Sequence, residues 1–453
     1  MSFNIVYKEN KLILPEFDCD CGMNHNTPEM DIYIGSGIIE NCAEYIKKSI
    51  AGKNALVVAD NNTWEVAGSK VVKILSDAGF HMVNCILKRE GKLEPDQTAL
   101  GEIMLAVEPD TEFIVAVGSG VINDLSRYAA YCIGKPLVSI GTAPSMDGYT
   151  SVISSLHNKN LVMTKHDKYA RVLVCDVDIM RNAPYDMMIS GFGDVLGKFI
   201  SKADWTLGKI VNNEVCCPVC LEILTLALNK CINNIDGIRN RTREGVQSLI
   251  EALILTGLTI LICGQTRPVA SIEHNMAHFW DMMKLQDGEE SPAHGTSVGV
   301  GTVYAARFFD LFFKIDTSSL NKSEIRKRKK TKEQWEKEVL ECYGEVLGPS
   351  ILKNNPDEYI DWDEQERRID TVISNMDRIK KELSFLPTGS RMIEIMNQIG
   401  APVKAGQLDI DRKLLKDALM YGKDYRSRYT VFKTANELGL LEEFVDKLLE
   451  EDE

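Results

Sequence analysis

The sequence has little of what several classes of protein require. Positive charge is in the minority, with 52 Lys and Arg against 66 Asp and Glu and a net charge of −14. Because nucleic acids and anionic membranes attract basic surfaces, neither is expected as the main partner. The most apolar run, Ala252 to Cys263, covers about twelve residues, which is too short to span a bilayer. We therefore predict a buried helix there.

A secretory signal is also not visible, since the segment MSFNIVYKEN has no basic stretch followed by an apolar one. The 12 cysteines are accordingly expected to be reduced thiols in a cytoplasm. Cys19-Asp20-Cys21-Gly22 with His25, and Cys216-Cys217-Pro218-Val219-Cys220, resemble metal-binding spacings. Neither has the paired CxxC elements of a structural zinc site. Ordinary thiols are the favoured interpretation, and structural zinc is the alternative.

The length of 453 residues indicates two domains. In the first third, short apolar runs alternate with amphipathic stretches, which is typical of a parallel sheet covered on both faces. A hairpin is expected from 161–165 and 171–175. The predicted strands are 54–60, 82–87, 113–117 and 136–140, and the predicted helices between them are 63–78, 98–107 and 121–132.

From about residue 182 onward, apolar residues recur at helical spacing and the strand patterns disappear. Long helices are predicted at 186–208, 214–234, 242–263, 268–284 and 296–314. The charged segment 318–338 is interpreted as a solvated helix or loop, and a phosphate or partner site is the alternative. The prediction is an α/β fold, with a Rossmann-like dinucleotide-binding domain over 1–180 and an all-helical metal- and substrate-binding domain over 181–453. The active site is expected in the cleft between them.

Histidine is scarce, with 7 in the chain, yet His274, His278 and His294 lie close together in sequence. His274 and His278 are four residues apart and would share one helix face. Imidazole is the commonest ligand of a catalytic transition metal, and a carboxylate often joins it. Asp194, in the segment GFGD, would complete an Asp-His-His site suited to Zn²⁺, Fe²⁺, Ni²⁺ or Co²⁺. The alternative is a helix whose histidines satisfy core hydrogen bonds.

The predicted strand ends carry a second pattern. Gly118-Ser119-Gly120 follows one strand and opens a helix, where a backbone can approach a pyrophosphate. The third glycine of the full dinucleotide fingerprint is missing, so a simple tight turn is the alternative. The next strand ends in Gly141 to Ser151, which is rich in hydroxyls and carries Asp147. Asp60 ends the first strand and could accept hydrogen bonds from ribose hydroxyls or cap the following helix.

Five motifs in order, over residues 56–303, carry a resemblance to a known family: VGSGVINDL, GTAPSMDGYTS, GFGD, RPVASIEHNMAH and AHG. Together they resemble the bacterial branch of the sn-glycerol-1-phosphate dehydrogenase family. That family is related to glycerol dehydrogenase, iron-type alcohol dehydrogenase and 3-dehydroquinate synthase; the LNxGHTxGHA signature of the last is absent here. The resemblance implies a metal-dependent, NAD(P)H-linked oxidoreductase that interconverts dihydroxyacetone phosphate and sn-glycerol 1-phosphate.

The resemblance also implies roles for individual residues. One divalent ion (Zn, Ni or Fe) would be bound by Asp194, His274 and His294. His278 would relay a proton, Asp147 would orient a substrate hydroxyl, and Asp194 and His278 would also contact the substrate. The residues implied to bind NAD(H) or NADP(H) are Asp60, Gly118, Ser119, Gly120, Val121, Ile122, Thr142, Ala143, Pro144, Ser145 and Ser151.

Two departures from the family concern the surroundings of the metal. Thr296 stands where the family's HGE has its glutamate, and QTRPVASIEH stands where the family has SSRPASGSEH. By position, Arg267, Lys198 and Lys202 are candidates for the substrate phosphate, although Arg267 could instead neutralise buried acids. The resemblance implies a homodimer or larger oligomer. The alternatives are a glycerol or other polyol dehydrogenase acting without a phosphate, and a non-catalytic nucleotide-binding protein.

Overall fold

The computed structural model describes residues 6–14, 17, 19–25, 29–158 and 161–452, and for Leu161 only the backbone. The strands are β1 (Val6–Lys8), β2 (Lys11–Ile13), β3 (Asp31–Gly35), β4 (Asn54–Asp60), β5 (His81–Leu87), β6 (Phe113–Gly118), β7 (Leu137–Gly141), β8 (Ile153–Asn158), β9 (Leu161–His166) and β10 (Val172–Asp176). The helices are α1 (Cys42–Ser49), α2 (Asn61–Thr63), α3 (Ser69–Asp77), α4 (Gln97–Leu105), α5 (Gly120–Cys132), α6 (Val177–Met180), α7 (Tyr185–Asn212), α8 (Pro218–Ile232), α9 (Ile235–Arg239), α10 (Arg243–Cys263), α11 (Ile272–Gln286), α12 (His294–Phe312), α13 (Lys322–Arg328), α14 (Lys332–Asn354), α15 (Trp362–Glu382), α16 (Gly389–Gln398), α17 (Arg412–Tyr421), α18 (Val431–Glu437) and α19 (Leu441–Glu450).

The main sheet has eight strands in the order β1-β2-β3-β10-β7-β6-β4-β5. Neighbours from β3 to β5 are parallel, and β1 and β2 extend one edge as an antiparallel hairpin. Alternate residues of a strand point to opposite faces. Val57 accordingly lies in one buried apolar cluster, and Leu56 and Val58 lie in another. Both faces of the sheet are therefore covered, and the predicted parallel sheet is confirmed.

The prediction for the strands near residue 170 was wrong. β9 pairs antiparallel with β8 in a separate two-stranded sheet. β10 instead enters the main sheet, parallel to both β3 and β7. All five residues of β10 are buried, which is the pattern of a central parallel strand rather than of a half-exposed hairpin.

Two compact units make up the chain, and they do not follow the predicted boundary at residue 180. The first comprises residues up to Asp20, Asn24–Val195 and Val219–Gln265; the second comprises Cys21–Met23, Leu196–Pro218 and the residues from Thr266 onward. Helices α8 to α10 therefore belong with the sheet. Helical periodicity marks a buried face but does not tell which core that face joins, so the sequence could not assign these helices.

Helix α10 contains the apolar run that the sequence marked as a buried helix. It has 21 residues and is long and apolar enough to cross a membrane, but 94% of its apolar window is buried within the protein. It lies against the loop that follows β7. An added Cβ at Gly257 would meet the carbonyl of Asp147 and the hydroxyl of Thr150, and Thr150 Oγ1 donates to the Ile254 carbonyl at 3.1 Å. The prediction of a buried helix is confirmed.

The second unit is all helical among its described residues, and α11 and α12 form its centre. A Cβ added at Gly301 of α12 would lie 2.7 Å from the carbonyl oxygen of Glu273 on α11. The two helix backbones therefore approach closely because glycine stands at that position. Phe308 of α12 stacks on Phe432 of α18, with ring centroids 3.8 Å apart.

In the first unit, a buried arginine fixes the loop between β7 and β8. The guanidinium of Arg127 donates to the carbonyls of Gly148 at 2.5 Å and Ile153 at 2.6 Å. It also pairs with Asp124 at 2.7 Å and Asp167 at 3.1 Å. Burial raises the pKa of the Asp124 carboxyl to about 6, although Arg127 acts to lower it. The loop geometry thus depends on a charge that has no exposure to solvent.

We expect Arg127→Leu to destabilise the protein strongly, because it leaves two buried carboxylates without their counter-charge. The loss should be about 3–5 kcal/mol of unfolding free energy, the usual result of removing one partner of a buried ion pair. Denaturant unfolding measures it. As a matched control, Arg89→Leu breaks the partly exposed pair with Glu102 and should change stability by about 1 kcal/mol or less. Equal losses of unfolding free energy in Arg127→Leu and Arg89→Leu would contradict the role of Arg127 as a buried counter-charge.

Candidate active site

The carboxyl ends of β4, β6 and β7 meet at one edge of the sheet. Gly118 of β6 is paired with Gly141 of β7, and Val58 of β4 with Ala116 of β6. The loops that follow these strands therefore start at the same level. Among the residues predicted to bind the dinucleotide, this register brings the following to that edge: Asp60, Gly118, Ser119, Gly120, Val121, Ile122, Thr142, Ala143, Pro144 and Ser145. Ser151 lies further along, after the short turn Gly148–Thr150, and its hydroxyl bonds the backbone of Ile153.

Two glycines shape the turn between β6 and α5. A Cβ at Gly118 would lie 2.6 Å from Cβ of Ile122, so that position has no room for a side chain. A Cβ at Gly120 would meet only the side chain of Met146, at 3.4 Å. Gly120 is the first residue of α5, where backbone N–H groups have no partner within the helix. The turn therefore presents N–H donors at the sheet edge, as an anion site requires.

Asp60 serves as the N-cap of the helix that follows β4. Its Oδ1 accepts the N–H of Thr63 at 2.7 Å, and the Asp60 N–H donates to Oγ1 of Thr63 at 3.0 Å. This is the capping role that the sequence left open. The carboxylate is half-buried at the end of β4, so its charge also lies at the edge where the dinucleotide residues gather.

The loop after β7 is anchored on the first turns of α7. The N–H of Asp147 donates to Oδ2 of Asp194 at 3.0 Å, and the hydroxyl of Ser190 donates to the carbonyl of Ser145 at 3.0 Å. A Cβ at Gly191 would collide with the carbonyl of Pro144. Two residues of the GFGD motif therefore contribute to packing. Gly191 lets α7 approach the loop, and Asp194 accepts a backbone N–H from it.

Three histidines gather in the second unit. His274 and His278 lie on α11, and His294 is the first residue of α12. Ring centroids are 5.3 Å apart for His274 and His294, 5.2 Å for His278 and His294, and 6.4 Å for His274 and His278. The clustering predicted from the sequence is therefore present within this unit.

A buried carboxylate orients the first of these rings. Nδ1 of His274 lies 2.8 Å from Oε1 of Glu273, whose side chain is fully buried. A carboxylate accepts, so Nδ1 carries the proton and Nε2 carries the lone pair. Metal-binding histidines are commonly held in this way by an outer carboxylate. Glu273 was not among the site residues expected from the sequence, although a glutamate directly before a candidate ligand was a signal for it.

Helix α7 contributes to the surroundings of His274. A Cβ at Gly197 would lie 2.7 Å from Cγ1 of Val298 and 3.5 Å from Cε1 of His274. Asp194 is three residues earlier on the same helix, and residues three apart share a helix face. Gly197 therefore keeps this part of α7 close to α11, a function that the sequence analysis missed.

His278 lies in a cationic and aromatic environment. Its ring centroid is 5.5 Å from that of Tyr425. Burial lowers the pKa of His278 well below its ordinary value, and His294 and Arg426 lower it further. Ligand atoms of His278, Asp281 and His294 lie within 4.8 Å of one another. Asp281, which the sequence analysis did not select, is three residues after His278, a spacing that indicated the same helix face.

Arg267 has the second of its two predicted roles, that of neutralising buried acids. Its guanidinium donates to both carboxylate oxygens of Glu214, at 2.6 and 2.9 Å, and to the carbonyls of Asp204 and Tyr429, each at 3.0 Å. Only 2% of the residue is exposed. These bonds occupy the group that a phosphate would need.

Of the two lysines proposed for the phosphate, one is half-buried and the other is fully buried. Lys202 lies over the ring of Phe385, with Nζ 4.1 Å from the centroid, and burial lowers its pKa. Lys198 has no exposure to solvent. The sequence could not show this, because helical position does not tell how deep a side chain lies.

Comparison with known proteins places this geometry in a family. The family model for iron-containing alcohol dehydrogenase matches residues 33–184. A glycerol-1-phosphate dehydrogenase (NAD(P)+) from Halalkalibacterium halodurans is 32% identical over 438 residues, which covers 96% of this chain and 98% of that protein. The protein of the same name from Bacillus licheniformis is 28% identical, covering 93% of each chain.

Solved structures show the same fold. Glycerol dehydrogenase from Schizosaccharomyces pombe aligns with a TM-score of 0.60 and 16% identity, over 96% of this chain and 94% of that one. Maleylacetate reductase from a Rhizobium strain aligns with a TM-score of 0.57 and 13% identity, over 93% and 97%. These likenesses establish the fold alone. The identity to the Halalkalibacterium protein along nearly its whole length goes further, and by it this chain belongs to the glycerol-1-phosphate dehydrogenase family.

Proposed function

We propose that this protein interconverts dihydroxyacetone phosphate and sn-glycerol 1-phosphate, using NAD(H) or NADP(H) and one divalent metal ion. The observation that carries the proposal is the histidine cluster of α11 and α12, in which a buried glutamate orients His274. A relative that aligns with 96% of this chain bears the name glycerol-1-phosphate dehydrogenase (NAD(P)+). The fold and the family support the same chemistry.

Asp194, His274 and His294 are the proposed metal ligands. Each offers one ligand atom, a carboxylate oxygen or a ring nitrogen. Two imidazoles and a carboxylate, with positions left open, form a donor set that suits Zn²⁺, Ni²⁺ or Fe²⁺. The fit is supported by the Glu273 carboxylate on Nδ1 of His274, because it leaves Nε2 as the coordinating atom.

The side chains of the protein would bind, orient and move a proton. When bound, the metal supplies positive charge for the ketone oxygen and the nicotinamide supplies the hydride. His278, one helical turn from His274, would move a proton to or from the C2 oxygen of the substrate. Asp147 would orient a substrate hydroxyl; its backbone is fixed by the bond to Asp194. In reduction, C2 gains a hydride and its oxygen gains a proton.

The residues at the carboxyl edge of the sheet would bind the dinucleotide. The turn Gly118-Ser119-Gly120 and the N-terminus of α5 present N–H donors for the pyrophosphate. The loop Thr142–Ser145 and Ser151 would contact the nicotinamide half. Asp60 would accept a hydrogen bond from a hydroxyl of the adenosine ribose. At the same time its carboxylate would cap the helix at Thr63.

Arg426 is our candidate for the substrate phosphate, in place of Arg267 and the two lysines. Its positive charge is close enough to His278 to lower the pKa of that imidazole. Its guanidinium carbon lies 4.9 Å from the ring centroid of Tyr425, which itself contacts His278. An arginine pairs a phosphate in a forked geometry. Arg428, nearby in sequence, donates to the Ala270 carbonyl and to the Thr266 hydroxyl, and Arg426 donates to the hydroxyl of Tyr425 at 3.4 Å.

The alternative is a polyol dehydrogenase whose substrate has no phosphate. One structural neighbour bears the name glycerol dehydrogenase. Steady-state assays with dihydroxyacetone phosphate and dihydroxyacetone separate the two. We expect oxidation of NADH or NADPH mainly with the phosphorylated ketone. Equal or better turnover of dihydroxyacetone would favour the alternative.

Assembly as a homodimer or larger oligomer and a place in the cytoplasm are also proposed, to be tested by light scattering and by fractionation.

For the metal site, we expect His294→Ala to lose one bound metal ion per chain and nearly all turnover. Glu273→Gln should weaken metal binding by about 10–100-fold, because it removes the charge that orients His274. Chelator competition gives the affinities. His278→Ala should keep the metal and lower kcat by about 10²-fold. Glu394→Gln, on the exposed face of α16, is the control. A metal content in His294→Ala equal to that of the unaltered protein would refute the ligand assignment.

For the cofactor, Asp60→Asn should shift the preference toward NADPH. Asparagine still caps the helix at Thr63, but it has no charge to repel a 2′-phosphate. The measurement is the ratio of kcat/KM for NADPH to that for NADH. Asp77→Asn, an exposed position in the same unit, should leave the ratio unchanged. If Asp60→Asn also leaves it unchanged, Asp60 is a helix cap and nothing more.

For the phosphate, Arg426→Met should raise KM for dihydroxyacetone phosphate by about 10-fold or more, the value of one charged hydrogen bond. The weak turnover of dihydroxyacetone should not change, since that substrate offers no phosphate. Arg426→Lys should restore part of the affinity by keeping the charge. Arg391→Met is the matched surface control. Equal losses with both substrates would assign Arg426 a structural role instead.

A further inference from the structure

A second group of candidate metal ligands lies in the segment between β2 and β3. A sulfur of Cys19 and a ring nitrogen of His25 are within 4.8 Å of each other. Cys21 lies between them in sequence, and Gly22 after it has φ +85°, a left-handed conformation that lets the chain reverse. The segment thus folds back so that two thiols and an imidazole are near one another.

A third thiol lies beside this segment. Sγ of Cys21 and Sγ of Cys217 lie within 4.8 Å of each other. Cys217 directly precedes Pro218, the first residue of α8. The N-terminus of a helix stabilises a thiolate through its partial positive charge and its N–H groups. One turn on, Sγ of Cys220 is 3.2 Å from Sγ of Cys263 at the end of α10.

An independent observation concerns the orientation and protonation of the His25 ring. Its Nδ1 lies 2.9 Å from the carbonyl oxygen of Ile262. A carbonyl only accepts, so Nδ1 carries the proton and Nε2 carries the lone pair. Phe17 packs on the ring with centroids 5.6 Å apart and holds its orientation. This is the outer-sphere arrangement typical of a metal-binding histidine.

We propose that Cys19, Cys21, His25 and Cys217 bind one structural Zn²⁺ ion. Three thiolates and one imidazole are a common tetrahedral set for structural zinc and leave no position open for a substrate. The sequence favoured ordinary thiols because neither cysteine segment has the paired CxxC elements of a structural zinc site. The first supplies three and the second supplies the fourth. None of these residues belongs to the proposed catalytic site.

The physical role follows from where the ligands lie. The described segment 19–25 has a bend at residues 21–23 but no helix or strand, so few backbone hydrogen bonds hold it. A zinc ion would join it to the start of α8, while His25 already contacts the end of α10. Because the unfolded chain has no preformed site, the binding free energy would add to the free energy of unfolding.

The test is metal content in a background without the catalytic metal. His294→Ala, purified with zinc present, should retain one zinc per chain by elemental analysis. His294→Ala with Cys21→Ser should retain none, whereas His294→Ala with Cys132→Ser, an exposed thiol outside the group, should retain one. Cobalt loaded into His294→Ala should show thiolate-to-cobalt charge-transfer absorption, and Cys21→Ser should abolish it. No retained zinc and no such absorption in His294→Ala would overturn the proposal.

A measurement on the unaltered protein covers the case in which Cys21→Ser fails to fold. Maleimide labelling followed by peptide mass spectrometry should find Cys19, Cys21 and Cys217 protected until a strong chelator is added. Cys132 should label at the same rate with and without chelator. Labelling of all four that ignores the chelator would overturn the zinc site. This readout does not depend on turnover, so the zinc proposal and the proposed function can fail separately.

Discussion

Arg267 holds the segment that carries the histidines, and the candidate site depends on that bond network. It clamps Glu214 with two bonds and also donates to Ser271, the residue just before α11. Ser271 in turn donates to Asp204, whose pKa burial raises to about 7. The start of α11 is thus fixed by buried directional bonds in addition to the apolar packing of Ile272, which is fully buried. Directional bonds resist rotation of the helix, which would change the histidine geometry.

Arg127 has the equivalent task in the first unit, where it fixes the loop that carries Asp147. Burying a guanidinium is costly, and the cost is offset only when nearly all of its donors are satisfied. Both arginines meet that condition with carboxylates and backbone carbonyls. A lysine could not replace either, because its single ammonium cannot bridge several acceptors in a plane. Each functional segment is therefore held by directional bonds.

Departures from the family pattern can be understood at the same level. Thr296 stands where the family has a glutamate, and it lies buried in the first turn of α12. A glutamate there would add a third acid near the histidines, besides Glu273 and Asp281. Thr266, in the altered segment before α11, bonds Arg428. These changes affect the charge around the histidines and leave the three proposed ligands in place.

The sequence by itself determined the parallel sheet, the following helices, the glycine turn after β6 and the histidine pair on one helix face. Those features follow from local periodicity and from glycine at fixed positions, which neighbouring residues suffice to specify. Tertiary structure decided the rest. It placed β10 inside the sheet, assigned α8 to α10 to the first unit, enclosed Arg267 and brought Cys217 beside Cys21. Each of these outcomes depends on which distant segments share a core, and a residue's own neighbours in sequence do not encode that.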